Sequence, residues 1–185
     1  MRSSFTIKEN HCTLTQVEMR MLSQKDLDAI LTLQDEIYNG IEDKQTYIKS
    51  TKEELMEELL HYPTHTIGIF TAANELIAVG IYKTVGQSED NYARDFGLEG
   101  TILDKIGHVD TTIVSARFRG NGLQRILIEA IEELARKDHM QMLCATVSPY
   151  NTFSLNSFLK TGFVIKADKL KYGGVRRYIV AKDLV

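Results

Sequence analysis

The chain is poor in cysteine: Cys12 and Cys144 are the only two in 185 residues. Two such positions supply neither a disulfide framework nor a metal-ligand spacing, so no metal is expected. Cys144 lies in an apolar run and reads as a small buried side chain rather than a nucleophile. No hydrophobic stretch is long enough to span a bilayer, and the polar N-terminus does not read as a signal peptide. The expected compartment is therefore the cytoplasm, without membrane association. Positive charge is not in excess either. Twenty-two Lys and Arg against 25 Asp and Glu leave a net charge of −3, which argues against a nucleic-acid-binding surface. Internal repeats and low-complexity linkers are also missing, so one domain with a full core is the simplest organisation.

The most informative segment runs from Ile113 to Leu123, Ile-Val-Ser-Ala-Arg-Phe-Arg-Gly-Asn-Gly-Leu. It reads as a strand end, a basic glycine loop and the first turn of a helix. Such an arrangement presents unpaired backbone N–H groups, backed by the positive end of a helix dipole, to an approaching phosphate. Gly120 and Gly122 remove Cβ atoms where a ligand would lie against the backbone, and Arg117 and Arg119 add charge. An Arg-Gly-Asn-Gly sequence is also a good turn, but its context favours the phosphate reading. Gly107 to Val114 reads as a strand. Leu123, Ile126, Leu127, Ala130, Ile131 and Leu134 then fall on one helical face, with Glu132–Arg136 and Glu133–Lys137 pairs outside. The loop lacks the Gly-Lys-Ser/Thr of a Walker A motif and the third glycine of a dinucleotide fingerprint.

Residues 1–14 are either a loose extension or an added strand, ahead of a single domain over residues 15–185. Val17, Met19 and Met21 alternate as a strand. Ser23 with Asp26 caps a helix that carries Leu27, Ile30, Leu31, Gln34, Ile37 and Tyr38 and stops at Asn39-Gly40. Thr51 and Glu54 form a second capping pair for a helix expected to end before Pro63. Strands over 66–71 and 76–85 form a hairpin about Ala73-Asn74. The segment from Gly86 to Ile106 is long enough to be functional or ordered by a ligand. Met140–Val147 suits a buried parallel strand. Asn151–Thr161 is a short helix closed by Gly162, and a last hairpin turns at Gly173-Gly174. The order β-α-α-β-β-β-α-β-α-β-β makes an α/β (α+β mixed-sheet) protein with helices on both faces.

This order, Arg117-x-x-Gly120-x-Gly122 between strand and helix, and the later Asn151…Gly162-Phe163 together resemble the GNAT superfamily of N-acetyltransferases, over about residues 17 to 183. The resemblance implies the GNAT-like acyl-CoA N-acyltransferase fold and acetyl-CoA as cofactor. It implies that the backbone of Arg119, Gly120, Asn121, Gly122, Leu123, Gln124 and Arg125, beside Arg117, holds the pyrophosphate. Thr112, Ile113 and Val114 would offer a strand edge to the pantetheine arm. Asn151 is either a CoA contact or a plain N-cap, and Ser154 stands where a small residue allows close approach of the cofactor.

Transfer from a thioester to an amine needs a polarised carbonyl, a deprotonated amine and their joint orientation. A backbone N–H near Val114 suits the developing oxyanion. His108, Asp110 and Thr112 alternate along one strand, so they are expected to face one side. Many family members carry an acidic residue where Asp110 stands. Others place a base on the next strand, where this chain has Thr146. Asp110 or His108 is therefore the expected base, directly or through water; alternatively the two merely order the strand end. The family's usual acid is a tyrosine where this chain has Phe158, which leaves water or Tyr150 to protonate the thiolate.

Acceptor sites in the family draw on three segments. Here these hold Glu42, Asp43 and Tyr47; Asp90, Tyr92, Arg94, Asp95 and Glu99; and Tyr172, Arg176 and Arg177. Acidic groups suit a cationic amine and arginines a carboxylate or phosphate, while any one of them also reads as solvated surface charge. Small amines, amino acids and peptide or protein amines stay open. The expected activity is acetyl-CoA-dependent N-acetylation by direct attack in a ternary complex, by a monomer or homodimer. A catalytically weak acyl-CoA-binding regulatory module and a nucleotide-binding protein are the alternatives.

Overall fold

A computed structural model describes residues 2–60 and 64–184. The alternation at Val17 and Met19 belongs to strand β2 (Thr13–Met21), whose inward side chains are buried. Residues 2–9 form a strand of their own, β1 (Arg2–Glu9), antiparallel to β2 along its whole length. Further strands are β3 (Thr64–Thr71), β4 (Leu76–Thr84), β5 (Ile106–Val114), β6 (Met142–Val147), β7 (Val164–Lys171) and β8 (Val175–Asp183). Among the described residues they make one sheet in the order β1-β2-β3-β4-β5-β6-β8-β7, with β5 and β6 parallel. The neighbouring pairs β1–β2 to β4–β5, β6–β8 and β8–β7 are antiparallel.

Helices cover both faces. Helix α1 (Leu27–Gly40) follows a single 3-10 turn, Gln24–Asp26, which moves its start three residues beyond the expected Ser23 cap. The Ser23 N–H still donates to Asp26 at 2.9 Å, and Arg20 holds the same carboxylate below its usual pKa range. Helix α2 (Lys52–Leu60) is capped reciprocally: Thr51 N–H donates to Glu54 at 2.7 Å, and Glu54 N–H to the Thr51 hydroxyl at 3.1 Å. The expected stop before Pro63 falls on residues 61–63, outside the described residues. Leu27, Ile30, Leu33 and Leu55 pack with Val79, Ile81 and Ile113 on this face.

Helix α3 (Leu123–Lys137) and helix α4 (Thr152–Lys160) cover the other face, where Leu123, Leu127, Ile131 and Phe158 pack with Ala78, Tyr82 and Val109. Each fully buried Leu or Ile there contributes roughly 1.5–3 kcal/mol. Ile128 and Ala135 are also buried, so the apolar face of α3 is wider than its strict i, i+3, i+4 stripe. Glu132 does bind Arg136, and it also takes Lys182 of β8 at 2.5 Å.

The segment from Gly86 to Ile106 is ordered by its own side chains. It forms two 3-10 stretches, Tyr92–Phe96 and Gly100–Lys105, whose Tyr92, Ala93 and Leu103 make a third core cluster with Cys144 and Ile179. Cys144 is fully buried, and burial pushes its thiol up to about 12. No described helix is long and apolar enough to cross a membrane.

Candidate active site

Strand β5 has two edges with different fates. Along one it pairs with β4 from Gly107 to Val114. Along the other its parallel pairing with β6 is confined to Ile106, Gly107 and His108. Beyond His108 the strands part: β6 continues against β8, while β5 runs on to the glycine loop with its second edge open. At the end of that edge Gly120 (φ +82°) and Gly122 (φ +72°) take left-handed conformations that glycine adopts without strain. Gly122 is the N-cap of α3 and offers no side chain, so the first N–H groups of the helix lack a side-chain cap. An open strand edge and an uncapped helix start are what a pantetheine arm and a pyrophosphate require, and the residues present fit CoA.

Several side chains expected at this loop are already engaged. Arg117 is held by Glu9 at 2.5 Å and by Glu75 at 2.7 Å. Asn121 clasps the backbone of β1, accepting from Lys8 N–H at 2.8 Å and donating to Lys8 C=O at 2.7 Å. Asn10 N–H adds a bond to Arg117 C=O at 2.7 Å. The β1–β2 turn thus grips the loop, and His11 lies against Gly120 so closely that a Cβ there would sit 2.6 Å from its ring. Arg119 and Arg125 stay exposed, while Leu123 and Ile113 bury their side chains and can offer only backbone. Gln124 joins Thr112 (2.9 Å) to Ser154 (2.8 Å), which ties β5, α3 and α4 together. Asn151 caps α4 by accepting from Ser154 N–H at 3.0 Å.

The expectation that His108, Asp110 and Thr112 share a face is corrected by the sheet. Ile81 pairs with Thr111 and Tyr82 with Val109, so Asp110 is the extra residue of a β-bulge. The bulge reverses the alternation. Val109 packs against α3 and Ile113 against α1, although they are four residues apart. Thr112 faces α3, whereas His108, paired with Lys83, faces the α1–α2 side.

On that side Asp110 Oδ1 lies 2.6 Å from Lys83 Nζ, and Glu58 Oε1 of α2 lies 3.6 Å from the same nitrogen. Both carboxylates are 13 % exposed. Burial, with Asp110 adding to it, raises Glu58 to about 7; Lys83 opposes the shift. Oε2 of Glu58 has no hydrogen-bond partner among the described residues. The sequence reading missed Glu58 and Lys83. The available signal for Glu58 was an acidic residue three positions after Leu55, on the inward face of an amphipathic helix.

His108 is 1 % exposed and stacked on Tyr92 at 4.3 Å between ring centroids. Its Nε2 is 3.3 Å from Asn91 Oδ1, whose own amide donates to Gly86 and Leu103 carbonyls. Burial, then Lys83 and Lys171, lower its pKa to about 3, so the ring is neutral and Nε2 is the donor.

Of the acceptor candidates, Tyr47 is brought to the cluster. Its hydroxyl donates to Gln34 at 2.9 Å, and burial with the nearby Asp110 and Glu58 charges raises its pKa. Tyr172, at φ +51° in the β7–β8 turn, bonds Tyr92 (3.0 Å) and Thr146 (2.9 Å) through its hydroxyl. Asp95 is paired with Lys171 at 2.8 Å, and Arg94 holds carbonyls of its own loop. Asp43 caps a turn over Lys44–Thr46, while Glu42, Asp90 and Glu99 are exposed. Tyr150 is 61 % exposed at the β6–α4 turn. Phe158 is buried, edge-on to Phe163 at 5.1 Å, and belongs to the core. No described cluster of His, Cys, Asp or Glu is suited to a metal ion.

The model of the acetyltransferase (GNAT) family matches residues 27–163, most of the chain. Among solved structures, the chain is similar to a GNAT-family acetyltransferase from Streptococcus pneumoniae (18 % identity, TM-score 0.67, covering 90 % of this chain and 99 % of that one). It is also similar to the ribosomal-protein-S18-alanine N-acetyltransferase of Escherichia coli (13 %, TM-score 0.68, 91 % and 94 %). A third is yncA of Salmonella typhimurium, solved with its cofactor acetyl-CoA (13 %, TM-score 0.66, 91 % and 94 %). At these identities the likeness is one of fold. No curated protein matches the sequence. The family uses acetyl-CoA and acetylates amines. The chain belongs to the acetyltransferase (GNAT) family, as an N-acetyltransferase.

Proposed function

We propose that this protein transfers the acetyl group of acetyl-CoA to a primary amine by direct attack in a ternary complex, with the Glu58–Lys83–Asp110 cluster receiving the amine's proton. The observation that carries this reading is the open edge of β5, which leads from the uncapped start of α3 back to the bulged Asp110. The cofactor supplies the activated thioester. The chain's residues bind its phosphates through backbone N–H groups at Gly120–Arg125, with Arg119 and Arg125 adding charge, and align the arm along Thr112–Val114.

Two carboxylates about one ammonium suit proton transfer, since Glu58 near 7 is divided between its two forms at neutral pH. His108 is not the base in this reading: an imidazole that stays neutral down to about pH 3 cannot hold an amine's proton. It orders the wall of the site through Asn91 and Tyr92. Tyr150, at the β6 side of the opening, is the proposed phenol for the departing thiolate, with water as the alternative. Residues 15–185 form the catalytic domain, with β1 added at the sheet edge, acting in the cytoplasm as a monomer or homodimer without nucleic acid.

The test is thiol release from acetyl-CoA over an amine panel, wild type against Asp110→Asn and Glu58→Gln. Amine-dependent release that both variants depress supports the reading. Tight CoA binding with no turnover on any amine would support a regulatory acyl-CoA-binding module instead.

A further inference from the structure

Arg176 and Arg177 are neighbours on β8 with opposite environments. Arg176 is exposed and holds Asp168 of β7, with Nη2 2.6 Å from the carboxylate. Arg177 points to the other face. Ile179, two residues on, pairs with Thr146, so Arg177 shares the face of Thr146 and the Tyr172 hydroxyl bonded to it. It is only 3 % exposed. Its guanidinium carbon lies 5.8 Å from the Tyr172 ring centroid.

A guanidinium has five N–H donors, and taking it out of water is unfavourable unless they are met. The Arg177 side chain makes one hydrogen bond among the described residues, from Nη1 to the Arg176 carbonyl at 3.1 Å, and pairs with no carboxylate. Arg20, Arg117, Arg136 and Arg176 each hold one. The charged groups around Arg177 do not fill the vacancy. Asp43 feels its charge from the α1–α2 loop, but it is exposed and spends Oδ1 on Gln45 N–H at 2.9 Å. Asp95 is taken by Lys171. A buried, unpaired, permanently charged fork beside the tyrosines of the site matches a planar carboxylate approaching from that side.

We infer that the acceptor is a small amine bearing a carboxylate, a free amino acid in its chemistry. Arg177 holds the carboxylate while the amine faces Glu58, Lys83 and Asp110. This rests on the acetyltransferase reading and narrows its substrate class.

The experiment compares the full-length protein's kcat/KM on amino acids with that on their amides and decarboxylated amines, and on phosphoethanolamine against ethanolamine. The amino acid should be favoured by about 10–100-fold, the scale of leaving a buried charge unmatched. Arg177→Gln should remove that preference by raising KM for the amino acid, with CoA affinity by calorimetry unchanged, and Arg177→Lys should keep part of it. Equal use of amino acids and amides, preference for the phosphomonoester, or a preference that survives Arg177→Gln would overturn the inference. Should Arg177→Gln not fold, the wild-type panel decides alone. Turnover on no amine at all overturns the reading beneath it, which is a different result from turnover without preference.

Discussion

Asp110 holds the ammonium of Lys83 at 2.6 Å from the one position in β5 where the strand carries an extra residue. Strict alternation would keep His108, Asp110 and Thr112 on one face; the extra residue instead turns Thr112 toward α3, where it bonds Gln124. His108 and Asp110 both reach the α1–α2 side, at the point where β5 loses its β6 partner. The bulge therefore leaves both groups on the α1–α2 side and turns Thr112, on the open stretch of β5, toward α3.

Asp110→Asn retains the size of the side chain and removes its basicity. Lys83 keeps Glu58 as a partner at 3.6 Å, so the fold should survive. The expected outcome is a fall in kcat of about 10²–10⁴-fold, the usual range for a positioned base. KM for acetyl-CoA should stay within about twofold, since uniform binding of the cofactor is untouched. Steady-state kinetics with a thermal melt on the same preparation checks both.

Glu58 gives a pH signature. Its base form grows as pH rises through about 7, so kcat/KM should climb across pH 6–8 and level off above. Glu58→Gln should flatten that limb. Stability should move the other way. A carboxyl whose folded pKa lies above its ordinary 4.5 contributes stability that is fully present below 4.5 and is lost as pH rises through 7. Relative to wild type, the melting temperature of Glu58→Gln should thus be higher at pH 8 than at pH 5. A difference independent of pH would rule out the raised carboxyl.

The elements of the fold were legible because their signals are local. Thr51 and Glu54 cap α2 reciprocally, the Leu123–Leu134 stripe is the buried face of α3, and Gly120-x-Gly122 takes the two left-handed conformations that its glycines permit. The site was legible only in part. Strict alternation put Thr112 with His108 because a bulge depends on the register of two strands, which β5 alone does not reveal. Glu58 and Lys83 lie 25 residues apart in sequence and meet Asp110 only through the sheet. His108 is a titratable residue at the right strand end, yet its neutrality comes first from burial, then from Lys83 and Lys171, and the Tyr92 ring stacked on it belongs to a segment that carries no periodicity. Asn121 and Arg117 look like ligand groups in isolation; their partners Lys8 and Glu9 are more than 100 positions away.

Those distant partners make the N-terminal hairpin part of the cofactor site. Asn121→Ala removes two hydrogen bonds to the Lys8 backbone, together about 1–3 kcal/mol of loop order. KM for acetyl-CoA should rise several-fold with kcat nearly unchanged, because the loop must then be ordered by the ligand itself. Removing residues 1–12 should reproduce the effect. A truncated protein with wild-type KM would show that β1 covers the sheet edge and does nothing for the loop.

The resemblance to the family sets Phe158 against a tyrosine acid, and the surroundings of Phe158 decide what adding a hydroxyl would do. The ring is 3 % exposed and edge-on to Phe163, inside the core cluster that α4 shares with α3. A phenol there would take its hydroxyl into the apolar cluster and out of solvent. Phe158→Tyr should therefore lower stability by about 1–3 kcal/mol, the range for burying an unpaired hydroxyl, and leave kcat no higher than wild type. Tyr150→Phe should lower kcat if that exposed phenol protonates the thiolate, and the loss should shrink when solvent water is the competing donor. A rise in kcat for Phe158→Tyr, measured at the same pH and saturating acetyl-CoA, would instead place the α4 position within reach of the sulfur and exclude Tyr150 from that role.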